Sequence, residues 1–96
     1  MHYILFYEVT DNYFEKRTPF RAEHIALARK ALERGELILA GDLADPVDEA
    51  VLIFSGSHPG AAEEFAKNDN YVKNGLIKNW KVRKWTTVVG EGSSPP

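Results

Sequence analysis

Residues 18–35, TPFRAEHIALARKALERG, read as one helix. Thr18 offers a hydroxyl to cap a first-turn N–H. Pro19 follows at the position where a missing N–H costs nothing and its fixed φ suits a helix. Alanine and leucine fill the interior, and Gly35 stands where a left-handed terminating residue is wanted. Phe20, His24, Leu27, Ala28 and Ala31 fall on one stripe at helical spacing, while Arg21, Glu23, Arg29, Lys30, Glu33 and Arg34 lie mainly off it. His24, a titratable ring, therefore stands on or at the edge of the face the helix buries.

Outward from this helix the pattern changes to strands. Residues 2–9, HYILFYEV, alternate Tyr3, Leu5, Tyr7 and Val9 on one side with Ile4 and Phe6 on the other, so both faces are apolar. Residues 10–17 form a polar connection with a helical turn around Tyr13 to Lys16. Residues 36–43, ELILAGDL, and 50–54, AVLIF, are the next strands, separated by the turn composition of ADPVDE. A second helix is expected over residues 59–68, capped by Ser57 or His58, with Asp69 to Gly75 ending it in one further short turn. Residues 76–89 are the last strand, with Trp80 and Val82 on one face and Ile77 on the other if alternation is unbroken; a bulge in so long a run leaves the side of Trp85 open.

The order β-α-β-β-α-β is the ferredoxin-like pattern, an α+β fold. Right-handed crossovers give a four-stranded antiparallel sheet with two helices on one face. The first three strands, apolar on both faces, leave a bare sheet face of a size seldom exposed by monomers, which predicts a homodimer packed through the sheet faces, a dimeric α+β barrel. Residues 1–89 make one domain and residues 90–96, GEGSSPP, a flexible tail.

Composition narrows the function classes. The chain has 96 residues, 44% hydrophobic and 27% charged, with a net charge of −2 and no cysteine. That balance points away from nucleic acid and anionic membrane as partners, and it excludes thiol nucleophiles and disulfides. No apolar run approaches the ~20 residues of a membrane span, and no secretory leader pattern opens the chain, so a cytoplasmic protein is expected. His2, His24 and His58 have no metal-ligand spacing, so no metal is expected. Residues 56–60, GSHPG, are a turn rather than a phosphate loop or nucleophile elbow. Lys78, Lys81, Arg83 and Lys84 alternate between faces and read as a solvated edge.

The topology does place a candidate site. Antiparallel helices bring the start of the first helix, with Arg21 and His24, beside the end of the second, with Asp69 and Tyr71. A carboxylate bonded to one imidazole nitrogen would set the tautomer and steady the imidazolium, which suits proton transfer. The plainer alternative is a structural histidine bridging two helix ends, with Asp69 as a cap. Arg21, one turn before His24, can hold a carboxylate or phenolate. Asp42, closing the second strand, can reach the pocket or serve as a turn residue, and Tyr71 can offer its hydroxyl or simply pack.

With Arg21-x-x-His24, Ala40-Gly41 and Asp69-x-Tyr71-Val72 in this order, the chain resembles the YciI-like (YCII-related) family over about residues 2 to 85. The resemblance implies a ferredoxin-like fold, dimers with sheets face to face, and a His-Asp dyad falling on His24 and Asp69. It also implies chemistry like that of a dehydrochlorinase acting on a chlorinated hydroxyquinol, or of muconolactone isomerase-like barrels that move protons on small ring compounds. Two departures stand out. Asn70 replaces the family's usual proline after the aspartate, which would loosen the turn that aims Asp69. Asp42 replaces a proline after Gly41 and adds a charge near the pocket mouth. The expected activity is a cofactor-independent lyase or isomerase, with His24 and Asp69 catalytic and Arg21, Asp42 and Tyr71 binding a small anionic or phenolic molecule. A non-catalytic small-molecule-binding or interaction module is the rival.

Overall fold

Alternation of aromatic and aliphatic residues puts β1 (His2–Val9) at the centre of the molecule. A computed structural model describes residues 1–93; of the expected flexible tail, residues 94–96 lie outside the described residues. After β1 come α1 (Tyr13–Lys16), a 3₁₀ turn (Thr18–Phe20), α2 (Arg21–Glu33), β2 (Leu37–Asp42) and β3 (Glu49–Ser55). The chain then forms α3 (Gly60–Asn68), the short α4 (Asn70–Lys73) and β4 (Ile77–Trp85). The four strands make one antiparallel sheet in the order β2-β3-β1-β4. This is the ferredoxin-like α+β arrangement expected from the order of elements.

The core lies between the sheet and the helices. Tyr3, Leu5, Tyr7 and Val9 from β1 meet Ala50, Leu52 and Phe54 from β3, and Ala31, Ala62, Phe65 and Ala66 close over them from the helices. Phe20, Leu27 and Ala28, on the stripe read from the sequence, pack against this core. The opposite sheet face carries Ile4, Phe6, Val51 and Ile53, none fully buried, with Leu39 66% exposed beside them.

The helix starts differ from expectation. Residues 18–20 form the tighter 3₁₀ turn, closed by the Phe20 N–H on the Arg17 carbonyl at 2.9 Å. Thr18 therefore caps nothing, and α2 begins at Arg21. Gly35 ends the helix with φ +75°, the left-handed conformation for which glycine has no steric penalty. Pro59 occupies the position before α3, where no side chain caps, although the His58 Nδ1 accepts from the Gly60 N–H at 3.1 Å.

Strand β4 is shorter than expected, stopping at Trp85, and it contains a bulge. Glu8 pairs with Asn79 while Val9 pairs with Ile77, so Lys78 is the extra residue. The bulge corrects the expected facing: Ile77 is buried on the same side as Trp80 and Val82. Beyond the strand, the Thr87 hydroxyl lies 2.7 Å from His2 Nδ1, and Ser93 N–H closes a turn onto the Gly90 carbonyl.

Candidate active site

Asp69 is the fixed point of the site. Backbone φ −73° and ψ 123° break the helix between α3 and α4 there, and the Asp69 carboxylate caps α4 by accepting from the Tyr71 N–H at 3.1 Å. The side chain is fully buried. A buried carboxylate needs partners on both oxygens, and Asp69 has three. Besides the cap, the Tyr7 hydroxyl donates to Oδ2 at 2.8 Å, and His24 Nδ1 lies 2.9 Å from Oδ1 and 3.0 Å from Oδ2. The alternatives read from the sequence thus meet in one residue: Asp69 is both a cap and the partner of His24.

The His24 ring is held on its flat side too. It stacks on Tyr71 with centroids 3.8 Å apart and planes 6° from parallel, and it meets the edge of Phe65 at 6.2 Å. With Nδ1 given to Asp69, the neutral ring is set as the Nδ1–H tautomer and Nε2 is left to accept a proton. The ring keeps 15% of its side-chain surface exposed and lines a pocket of about 140 Å³. Arg21, Ile25 and Ala28 share its helical wall, Ala40, Gly41 and Asp42 form the facing wall on β2, and Tyr7, Tyr13 and Arg17 are also at the lining.

Arg21 lines the pocket and has no carboxylate within ion-pair distance among the described residues. Asp42 lines it as well but is already engaged, accepting from Arg17 at 3.0 Å and from the Tyr13 hydroxyl at 3.3 Å. Tyr71 lies beneath His24 rather than at the lining, and its buried hydroxyl makes no hydrogen bond among the described residues, although the Arg21 guanidinium is close enough to act on it. Asn70 stands where the family's usual proline would be. Its amide donates to the Phe20 carbonyl at 3.1 Å and to Glu23 at 3.2 Å, tying α4 to the start of α2.

Three site residues escaped the sequence: Tyr7, Tyr13 and Arg17. For Tyr7 a signal existed, since a phenol on the core face of a central strand must find a hydrogen-bond partner when buried. Arg17 lies in a polar connection with nothing to mark it. In the structure its guanidinium rests over Phe14 at 4.3 Å and Tyr13 at 5.1 Å.

Burial, then the charge of Asp69 and the bond to it, hold the Tyr7 phenol well above its ordinary value of 10.0. Burial pushes Tyr13 up to about 12, against the pull of Arg17. Burial works against the Arg17 charge, but the bonds to Tyr13 and Asp42 outweigh it and raise the guanidinium further. Tyr71 is raised by burial, with Arg21 and Arg17 opposing.

The tyrosine shifts predict alkaline sensitivity. The folded chain favours the protonated phenols, whereas the unfolded chain ionises near pH 10.0. Above that pH the unfolded state binds fewer protons, so stability is complete below it and falls as pH rises. The urea midpoint is expected to decline from pH 10.0 upward, with the Tyr13 share exhausted at about 12. Tyr7→Phe should show a shallower decline, and a flat midpoint in the parent across this window would contradict the assignment.

A larger hollow of about 540 Å³ beside Thr10 to Glu15 has Glu8, Asp11, Glu15, Asp48 and Lys78 as its charged lining, with no hydrogen-bonded acid–base pair. Among the described residues no three of His, Cys, Asp and Glu gather to hold a metal, and no helix is long and apolar enough to cross a membrane.

Comparison with solved structures agrees with the fold. The 5-chloro-2-hydroxyhydroquinone dehydrochlorinase of Burkholderia phenoliruptrix AC1100, solved with 2,5-dihydroxybenzoquinone, superposes with a TM-score of 0.74 at 17% identity, covering 98% of this chain and 100% of that one. A candidate antibiotic biosynthesis monooxygenase from Bacteroides thetaiotaomicron VPI-5482 gives 0.60 at 14% identity over 95% and 91% of the two chains. A NIPSNAP family protein from Agrobacterium tumefaciens C58 gives 0.56 at 17% identity over 99% and 97%. These identities carry the fold alone, a ferredoxin-like α+β arrangement. No curated protein matches the chain by sequence. The model of the YCII-related domain matches residues 1–86, nearly the whole chain, which belongs to that family.

Proposed function

We propose that the chain is a cofactor-independent lyase or isomerase that moves a proton on a small, single-ring phenolic or anionic compound. His24 is the proton carrier, Asp69 orients it, and Arg21 holds the anionic oxygen. The observation that carries this is the His24–Asp69 pair, with Nδ1 on a fully buried carboxylate that Tyr7 and the Tyr71 N–H also grip. Such a clamp fixes ring orientation and leaves Nε2 for chemistry at the pocket. Pocket size supports a ring: about 140 Å³ compares with the ~150 Å³ cavity that takes up one benzene.

The likeness to a dehydrochlorinase suggests one form of the reaction. Nε2 would take a proton from a ring hydroxyl and return it to the chlorine-bearing carbon, an isomerisation to the keto tautomer. Chloride would then leave with the C–Cl electron pair while a second hydroxyl gives its proton to His24 and its pair to the new quinone. One HCl is lost, and no outside oxidant is needed. The test is chloride release from 5-chloro-2-hydroxyhydroquinone, with binding of 2-hydroxy-1,4-benzoquinone followed in parallel. Release above the rate in buffer supports a lyase. Binding without release would favour a non-catalytic module, and neither would sink both readings.

A second copy covering the outer sheet face belongs to the same proposal. Ile4, Phe6, Leu39, Val51 and Ile53 form a continuous apolar surface there in the observed register. Sedimentation should give a dimer for the parent and a monomer for Leu39→Asp, a change that leaves the core untouched. A monomeric parent would contradict the packing.

A further inference from the structure

Two guanidiniums and one carboxylate at the pocket lining make a charge pattern with consequences for the ligand. Both oxygens of Asp42 are taken: Oδ2 by Arg17 at 3.0 Å and Oδ1 by the Tyr13 hydroxyl at 3.3 Å. The Arg17 head also rests over Phe14 and Tyr13, and the pair is partly exposed, with 15% of the Arg17 and 29% of the Asp42 side-chain surface open to solvent. Tyr13 is a donor at neutral pH, since even the ordinary phenol value of 10.0 lies well above neutrality and burial raises it further. Arg21 stands in the same lining with no carboxylate partner among the described residues.

We propose that Asp42 sets the charge of the ligand: by neutralising Arg17 it leaves Arg21 as the uncompensated guanidinium, so the pocket prefers a single-ring compound with one negative charge over the same ring with two. The first anionic oxygen finds Arg21 beside the His24 ring. A second anionic oxygen would have to displace Asp42 from Arg17 or sit against it as a like charge, at close range where water and salt reduce the repulsion without removing it. Asp42 is thus a specificity-determining residue rather than a ligand-holding one. This inference rests on the proposal that the pocket by His24 is the ligand site.

Two hydroxyquinones make the test direct. At neutral pH 2-hydroxy-1,4-benzoquinone carries one ionised, vinylogous-acid oxygen, and 2,5-dihydroxy-1,4-benzoquinone carries two on the same ring. Calorimetric titration of the parent should give at least about tenfold tighter binding of the singly charged compound, a difference within reach of one charge pair at this range. Asp42→Asn keeps the shape and an acceptor for Tyr13. It should raise affinity for the doubly charged compound about tenfold or more, and for the singly charged one less than about threefold. Arg17→Gln, which strands Asp42 without its cation, should weaken both compounds, the doubly charged one most. Thermal midpoints confirm that each variant is folded. An unchanged preference in Asp42→Asn, an equal gain for both compounds, or a parent that prefers two charges would overturn the proposal. Failure of both compounds to bind parent and variants alike would instead bring down the pocket reading, and this inference with it.

Discussion

Asp69→Ala is expected to destabilise the chain by about 3–5 kcal/mol and to abolish turnover. The substitution strips three donors at once: the Tyr7 hydroxyl, the Tyr71 N–H and His24 Nδ1 all point at a carboxylate that would no longer be there. The Asp69 side chain is fully buried, so water does not readily replace it, and each buried group left without a partner costs about 1–3 kcal/mol. The short helix α4 also loses its cap, about 1 kcal/mol by itself. For a domain of this size the loss corresponds to a fall in Tm of more than about 10 °C. Urea denaturation of the purified variant measures it. Asp69→Asn retains one acceptor oxygen and should lie between the two. A loss below about 1 kcal/mol for the alanine variant would mean that the carboxylate is dispensable to the fold.

His24→Gln should separate chemistry from folding. Glutamine can still donate an amide N–H toward Asp69 and keeps a partly apolar stem against Tyr71 and Phe65, so stability should change by less than about 1.5 kcal/mol. Glutamine cannot carry a proton. Turnover of a substrate found by the chloride assay should fall about 10²–10⁴-fold, the usual contribution of a positioned general acid–base. Binding of the ring compound should change far less than turnover, because Arg21 and the pocket walls remain. Activity within about threefold of the parent would remove His24 from the mechanism.

Much of this arrangement could be read from the residues because local patterns and topology agreed. HYILFYEV alternates without interruption, and β1 runs over His2–Val9 as expected. The helical stripe put His24 toward the core, and antiparallel helices brought it to the end of the molecule that holds Asp69; that the two side chains meet, at 2.9 Å, is not given by topology and is seen only in the structure. What escaped was set by choices that no local pattern records. The bulge at Lys78 inserts one residue into β4 and moves Ile77 to the core face, yet Lys78 carries no turn or glycine signal. Thr18-Pro19 suits a helix cap and a 3₁₀ turn equally, and the Phe20 N–H bond to Arg17 selected the second. Arg17 meets Asp42 across 25 residues of sequence, a partnership visible only once the chain after α1 meets the end of β2.

The most direct measurement is the ¹⁵N spectrum of the His24 side chain, recorded with long-range coupling to the ring protons, without and with 2-hydroxy-1,4-benzoquinone. The bond to Asp69 predicts a protonated Nδ1 and an unprotonated Nε2 for the neutral ring. The added quinone should move the Nε2 resonance while Nδ1 keeps its protonated signature. A protonated Nε2 in the neutral ring, or an Nε2 resonance that ignores the ligand, would contradict the account of His24 as the residue that moves the proton.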